Sequence, residues 1–274
     1  LFRYITCRRA RCFLEQLSVF QERQHRCHGG TLWSIPSEEA RSRHLGCQKQ
    51  AKKVPTPLTI LFQDDVLIAI DKPAGMLVHR TKLDAYATRF AMQTLRDQIG
   101  ERVWPIHRLD KPTSGILVFG RSREAARQLS SIFEERRIEK GYRAVVRGWT
   151  DPQDTINYPL KEVLDKTTDR KAQQDKPAQE ALTRFTTVAQ CEVDAPVGRY
   201  DTARYSLVDV QPITGRKNQI RRHFKHIFHP ILGDRKFGDR AHNSFFRDTL
   251  GVERMLLAAI SLSFEHPVTG AALR

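Results

Sequence analysis

Short apolar runs rich in β-branched residues recur along the chain after residue 57, and this recurrence constrains the fold more than any other feature. Runs of this length and composition predict strands, which we assign to residues 58–62, 66–70, 115–120, 142–146, 181–188, 205–211 and 256–264. Apolar residues at helical spacing predict helices at residues 90–99, 122–135 and 218–226. Because many strands are interspersed with few helices, the sequence predicts an α+β fold, with a mixed, mainly antiparallel central sheet and flanking helices.

The first 55 residues differ in character from the rest of the chain. They carry 11 Lys or Arg against 4 Asp or Glu, and they show no sustained helical or strand period. Pro55 and Pro57 then favour extended, unpaired backbone and mark a boundary. We therefore interpret residues 1–55 as a basic leader, poorly ordered or not native to the protein, and residues 56–274 as one folded domain. Within that domain, residues 150–180 are polar and contain three prolines, which predicts an insertion or a long excursion of the chain.

The net charge of the chain is +15 and its pI is near 9.9. Such a charge attracts polyanions, because binding releases their counterions, and it favours nucleic acid as the partner. A generic basic surface explains the charge equally well at this point. No run of 18 apolar residues occurs, so we expect no membrane partner.

The cysteines indicate the cellular compartment of the protein and not a fold held together by disulfides. There are five, an odd number, and four of them lie in the first 47 residues. This distribution argues against a disulfide framework and for the reducing cytoplasm. The spacings between these cysteines lack the paired CxxC motifs of structural zinc sites. We therefore expect the protein to bind no metal ion.

A polar segment, His107–Gly115, leads into the predicted strand at 115–120. Polar side chains at the mouth of a sheet are well placed to form a site. In this segment Asp110 lies between Arg108 and Lys111, and neighbouring cations keep a carboxylate ionised. An ionised carboxylate suits a nucleophile or a base, although an Asp before Lys-Pro is ordinarily a turn or cap residue. The residues alone leave both interpretations open.

Two further segments are candidates for contact with a base or a phosphate. Tyr142, at the start of a predicted strand, either stacks on a base or is an ordinary core aromatic. The segment 214–226 predicts a helix capped by Asn218, with Ile220 and Phe224 on its inner face. The outer face would hold Gln219, Arg222 and either Lys225 or His226. This face suits phosphate contact, or it is simply a solvated basic helix.

Together and in this order, the three segments resemble the RluA family of pseudouridine synthases. The family signature has HRLD followed by a turn and Ser/Thr-Gly, then a K-x-Y strand, then a G-R-x-x-Q-I/L-R-x-H helix. Here these correspond to residues 107–115, 140–142 and 215–223. Further motifs match at residues 71–79, 230–238 and 256–270, so the resemblance covers residues 58–274. The departures are Asn218 and Ala258, where the family usually has His, and Arg235, where it has Tyr.

The resemblance implies the pseudouridine synthase fold, an RNA substrate, a reaction without a cofactor, and a catalytic domain at residues 56–274. It also implies that Asp110 is the essential carboxylate, that Arg221 pairs with it, and that Tyr142 is the active-site tyrosine. The residues that we expect to contact RNA are His107, Arg108, Lys140, Arg216, Lys217, Gln219, Ile220 and Arg222. Consistent with a reaction that needs no nucleotide cofactor, the sequence contains neither G-x-G-x-x-G nor G-x-x-x-x-G-K-[ST].

Residues 79–81, 92–100, 165–176 and 198–205 resemble a subgroup of the family that acts on tRNA. This resemblance implies uridine 65 of the T-stem as the target, modified by a cytoplasmic protein that we expect to be a monomer. An enzyme for large-subunit ribosomal RNA and a non-catalytic RNA-binding protein on the same fold remain alternatives. A nuclease is a third, but it requires paired carboxylates for metal, and Asp64-Asp65 is better explained as a turn.

Overall fold

The computed structural model describes residues 56–80, 88–162 and 176–274. The predicted leader, residues 1–55, lies outside these ranges, as does most of the 165–176 stretch.

Ten strands in the described ranges form one sheet: β1 (Thr59–Gln63), β2 (Leu67–Lys72), β3 (Trp104–Pro105), β4 (Ser114–Gly120), β5 (Ile138–Arg147), β6 (Gln153–Asn157), β7 (Leu182–Val193), β8 (Ala203–Pro212), β9 (Leu257–Glu265) and β10 (Ala272–Leu273). Eight of them follow the order β1-β2-β4-β9-β5-β8-β7-β6, while β3 pairs with β4 and β10 with β9. The pairing of β4 with β9 is parallel, and the other strand pairs are antiparallel. The predicted α+β class with a mixed, mainly antiparallel sheet is therefore confirmed.

The described helices are α1 (Ala91–Ile99), α2 (Arg123–Glu134), α3 (Gln219–His226) and α4 (Arg240–Leu250). Helix α2 begins after Ser122, whose hydroxyl accepts a hydrogen bond from the Ala125 N–H at 3.0 Å. Helix α4 begins after Asp239, whose carboxylate accepts from two N–H groups of the first turn. Such caps satisfy donors that have no partner within the helix. The first three helices lie where the sequence predicts them, whereas α4 was not predicted.

The helices cover both faces of the sheet, and alternate residues of each strand separate the two cores. On β2, Ile68 and Ile70 pack into the cluster that contains α1, while Leu67 and Ala69 pack into the cluster that contains α2. The same alternation on β5 and β8 sends residues towards α3 on one face and α4 on the other. Tyr142 borders both the α1 and the α3 clusters. It therefore lies at the junction between the two cores of that face.

The region 150–180, predicted to be an insertion or a long excursion, contains a strand near its beginning. This strand, β6, pairs antiparallel with β7, which follows the region. Ile156 is the one buried residue of β6. Because β6 is the last strand in the sheet order, it has a partner on one side only, and a largely polar composition is compatible with that position. Periodicity could not reveal a strand that buries a single side chain.

Candidate active site

The three segments singled out in the sequence meet in one cleft of about 370 Å³. The loop before β4 contributes residues 106–110, the first half of β5 contributes Lys140 and Tyr142, and the start of α3 contributes residues 218–221. These elements are distant in sequence, and the sheet brings them together because β9 lies between β4 and β5. The predicted site residues other than Lys217 and Arg222 therefore line a common cleft.

At the floor of the cleft, Arg221 donates from Nη1 to the Asp110 carboxylate at 3.1 Å. The guanidinium is almost fully buried, with 8% of its side chain exposed, whereas 32% of the Asp110 side chain is exposed. Asp110 is thus accessible from the cleft while its cationic partner is enclosed. A charge-assisted hydrogen bond of this kind is strong and directional, so it fixes the orientation of the carboxylate.

A second carboxylate, that of Asp234, binds the guanidinium of Arg221 through nitrogens that do not contact Asp110. Asp234 accepts from Nε at 2.7 Å and from Nη2 at 2.9 Å, and its side chain is fully buried. Burial alone lowers the pKa of Arg221, but the bonds and charges of Asp234 and Asp110 outweigh it and raise that pKa. The pKa of Asp234 is lowered in spite of its burial, because Arg221 and the Phe237 N–H donate to it. Both groups therefore remain ionised.

Two further contacts fix the guanidinium. The Phe237 ring lies with its centroid 5.0 Å from the guanidinium carbon of Arg221, a cation–π contact. The Asn218 side-chain oxygen accepts from Nη1 at 2.7 Å. Asn218 takes the N-cap position of α3, but its backbone is left-handed, with φ of 57°, and its side chain makes no cap hydrogen bond. Its side chain instead hydrogen-bonds Arg221.

Lys72 is buried beside Asp110, although the sequence identified it only as part of a matched motif. Its Nζ donates to the carbonyl of Met76 at 2.8 Å, of Pro73 at 3.1 Å and of Lys111 at 3.4 Å. Burial lowers the pKa of Lys72 to about 7, and the charge of Asp110 acts in the opposite direction. Because the third carbonyl belongs to the residue after Asp110, Lys72 connects the 72–76 loop to the loop of the candidate catalytic carboxylate. The available signal was a lysine at the end of β2, close after the apolar run 67–70.

Tyr142 faces the cleft from β5. Burial, and secondarily the charge of Asp110, raises the pKa of Tyr142 above its ordinary range. Its hydroxyl therefore keeps its proton at neutral pH. The side chain can offer a ring to a planar base and a hydroxyl to a nearby polar atom.

His107 occupies a position that anchors the Asp110 loop. Its Nε2 accepts from the Val118 N–H at 3.1 Å, and its ring stacks on Phe133 at 4.8 Å. Burial, and secondarily the charge of Lys140, lowers the pKa of His107 to about 3. His107 is consequently neutral and ties the loop to β4. The Lys140 ammonium lies 5.1 Å from the Phe133 ring centroid, on the same aromatic side chain.

Gln219 is not on the outer face of α3, contrary to the prediction. Only 4% of it is exposed, and its Oε1 accepts from the Thr214 hydroxyl at 2.6 Å and the Arg216 N–H at 3.0 Å. Its Nε2 donates to Thr183 and to the carbonyl of Leu182, both at 2.9 Å. As the first residue of its helix, Gln219 turns back towards the preceding loop and fastens α3 to β7. Ile220 is buried and lines the cleft, as expected.

The remaining predicted RNA contacts lie at the surface or near it. Arg108 and Lys217 are exposed, while Arg216 and Arg222 are half-buried. Arg216 donates to the carbonyl of Glu180 at 3.1 Å, and Arg222 to that of Lys161 at 2.8 Å. Each guanidinium has further N–H groups beyond that bond. Their contact with RNA stays a prediction.

Within residues 56–80, 88–162 and 176–274, no three His, Cys, Asp or Glu side chains are grouped so as to hold a metal ion. None of the helices in these ranges combines the length and apolar character needed to cross a membrane.

The sequence pattern described as RNA pseudouridylate synthase matches residues 66–226, more than half of the chain. The chain belongs to this family. Family members with high similarity include a Vibrio parahaemolyticus protein named tRNA pseudouridine synthase C, which is 50% identical over 219 residues, covering 80% of this chain and 89% of the relative. A Haemophilus influenzae protein of the same name is 52% identical over 212 residues, covering 77% and 89%.

Solved structures agree with the family assignment at the level of the fold. The structure named Human RNA Pseudouridylate Synthase Domain Containing 1 has a TM-score of 0.61 at 24% identity, covering 79% of this chain and 82% of the other. Human RNA Pseudouridylate Synthase Domain Containing 4 has a TM-score of 0.56 at 25% identity, covering 75% and 84%.

Proposed function

We propose that this chain is a tRNA pseudouridine synthase that converts uridine 65 of the T-stem to pseudouridine. The observation that carries the proposal is the ion pair between Asp110 and Arg221, 3.1 Å apart, in a cleft that also contains Tyr142. A protein that only bound RNA would not need a carboxylate, which repels phosphate, at the centre of a basic cleft. Family membership supports the same reaction.

The reaction is an isomerisation and needs no oxidant, reductant or phosphate donor. The N1–C1′ bond breaks, a C5–C1′ bond forms, C5 loses its proton and N1 gains one. Asp110 either attacks C1′ or C6, or removes the C2′ proton to give a glycal, and each route begins from the ionised carboxylate. Arg221 supports each route in the same way, because it stabilises that ionised form and orients it.

A base within a stem is inaccessible, so the target nucleotide must leave the helix, at a cost of a few kcal/mol of unstacking. A cavity of about 370 Å³ is within the range of small-ligand pockets. We assign to Tyr142 the stacking contact with the extruded uracil, and to Ile220 the apolar wall beside it. Arg108, exposed at the rim, is the residue that we expect to hold the RNA open.

The tRNA substrate is supported by the relatives named tRNA pseudouridine synthase C. Position 65 is supported by the subgroup resemblance of residues 79–81, 92–100 and 198–205. A cytoplasmic location is part of the proposal, and the buried Cys191, which is a thiol and not part of a disulfide, is compatible with it.

The decisive experiment compares Asp110→Asn with wild type in tritium release from tRNA that carries 5-³H-uridine. We expect no release from D110N, while its affinity for tRNA is retained because Asp110 is not a phosphate partner. Asp97→Asn, an exposed carboxylate on α1, is the matched control and should release tritium as wild type does. Turnover by D110N would refute the catalytic assignment.

Mapping of pseudouridine by mass spectrometry, in tRNA and ribosomal RNA with and without the protein, tests the substrate. Loss of the modification at tRNA position 65 is the expected result. Loss at a large-subunit ribosomal site would favour the alternative substrate, and no loss in either RNA would favour a binding protein.

A further inference from the structure

Phe228 follows the end of α3 and is exposed to an unusual degree. Its exposed fraction is 86%, the largest among the large hydrophobic residues that the structure describes as exposed. Its backbone is left-handed, with φ of 63°. Hydrophobic burial therefore cannot explain a phenyl ring at this position.

The local backbone does not explain the ring either. The Phe228 N–H donates to the carbonyl of Lys225 at 3.1 Å, and the His229 N–H donates to that of Phe224 at 2.9 Å. These two bonds form the helix ending in which glycine usually takes the left-handed position, because it has no Cβ to clash. Phe228 thus occupies a glycine position in a conformation that bulky residues seldom adopt. A side chain that is both strained and solvated indicates a role outside the fold.

The surroundings of Phe228 are aromatic and basic. Two residues earlier, His226 stacks on Tyr158 with ring centroids 3.6 Å apart and 17° between the planes, and 42% of Tyr158 is exposed. Lys225 is exposed and Arg222 half-buried on the same helix. From residue 214 to residue 229 the chain contains five Arg or Lys and no Asp or Glu. This helix end therefore combines planar rings with positive charge.

We propose that Phe228 stacks on an unpaired base of the substrate RNA, while Arg222 and Lys225 contact its phosphates. The identity of the RNA rests on the proposed function. From Arg221 to the end of α3 at His226 the helix rises by roughly 7–8 Å, and Phe228 lies two residues further along the chain, so we place this second contact beyond the target nucleotide. Rings that stack on bases next to cations that track the backbone are the usual elements of contact with unpaired nucleotides.

A protein partner fits the same surface less well. The buried centre of a protein interface is depleted of charged residues, whereas the sequence around Phe228 is rich in them.

The test is Phe228→Gly, which removes the ring and places the residue best suited to the left-handed backbone. F228G should unfold at a temperature no lower than wild type, so a loss of binding would not reflect a damaged fold. Because F228G loses the stacking contact with a base, we expect the Kd of this variant for tRNA, and its KM, to rise by about 5- to 100-fold. Phe228→Trp should bind close to wild type, since it restores a planar ring. Phe62→Ala, an exposed phenylalanine on strand β1, is the matched control and should leave Kd unchanged.

An unchanged Kd in F228G would overturn the proposal. So would self-association of wild type, seen by sedimentation and abolished in F228G, because the surface would then be a protein interface. The two proposals fail separately: wild type that forms no pseudouridine refutes the function, whereas F228G that binds tRNA as wild type does refutes only the stacking contact.

Discussion

Asp234 holds Arg221 by both carboxylate oxygens, at 2.7 Å from Nε and 2.9 Å from Nη2. This two-point contact leaves Nη1 directed at Asp110. A guanidinium is planar and rigid, so fixing one edge fixes the direction of the remaining donors. Asp234 is therefore a positioning residue, which determines where the positive charge lies before any substrate binds.

Asp234→Asn should impair both stability and catalysis. Removing the charge of Asp234 leaves the buried Arg221 with the partly exposed Asp110 as its counter-charge, and breaking a buried pair costs about 3–5 kcal/mol in the free energy of unfolding. In the molecules that remain folded, a guanidinium displaced by about 1 Å should slow pseudouridine formation on the order of 100-fold. Urea denaturation and single-turnover rates measure the two effects.

Asp248→Asn is the control for this variant, because Asp248 pairs with Arg247 at the surface, with 62% and 53% of the side chains exposed. Exposed pairs contribute little, so D248N should match wild type in both measurements. A D234N protein with wild-type rate and stability would remove Asp234 from the positioning role.

Arg221→Lys tests whether geometry or charge matters at this position. Lysine keeps the positive charge but offers a single ammonium in place of a planar fork. It cannot reproduce both bonds to Asp234 and the bond to Asp110, so kcat should fall while tRNA affinity persists. The kcat and KM of R221K, measured by tritium release, separate these effects. Wild-type kcat would show that a point charge is sufficient.

The sequence predicted which residues meet in the cleft better than it predicted their surroundings. The three motifs identified Asp110, Tyr142 and Arg221, and the structure brings all three into one cleft. Asp234, in contrast, attracted attention only as a motif member. Its role depends on a contact with Arg221 that the fold creates, since the chain after α3 returns to that helix. A pattern along the chain does not encode such a return.

Gln219 illustrates a second limit. Helical periodicity assigns a residue to a side of the helix, and it placed Gln219 outside with Arg222. At the first position of a helix, however, a side chain can turn back to the unsatisfied donors of the preceding loop. Gln219 does so towards Arg216. Phe228 was missed for a related reason. Its left-handed backbone accompanies the hydrogen bonds at the end of α3, and a phenylalanine in the sequence does not predict a helix end of this kind.

Arg222→Gln should reduce the salt dependence of tRNA binding. Each phosphate contact releases counterions, so losing one should lower the slope of log Kd against log salt by about 1. Arg247→Gln is the control, because Arg247 lies on α4, which packs against the opposite face of the sheet from α3. Fluorescence anisotropy across a salt series measures the slopes. Parallel lines for R222Q and wild type would exclude Arg222 from phosphate contact.

Lys72 should make stability depend on pH in a defined direction. Its pKa is lowered to about 7 in the folded protein, mainly by burial, and returns to its ordinary value of 10.5 on unfolding. Between these values the unfolded chain binds a proton that the folded chain has released. The free energy of unfolding contributed by this site therefore rises with pH over that window and is constant below it.

Lys72→Met isolates this contribution. Methionine fills a similar volume without titrating, so the variant loses the pH-dependent part of the free energy of unfolding. The carbonyl of Met76, left without its donor, lowers that free energy by an amount that does not depend on pH. Tyr142 and Tyr205, whose pKa values burial raises, titrate alike in both proteins and cancel in the difference. Urea denaturation at intervals between about pH 6 and pH 10 should show wild type gaining stability relative to K72M above about pH 7. A difference that is the same at every pH would mean that Lys72 remains charged beside Asp110 throughout.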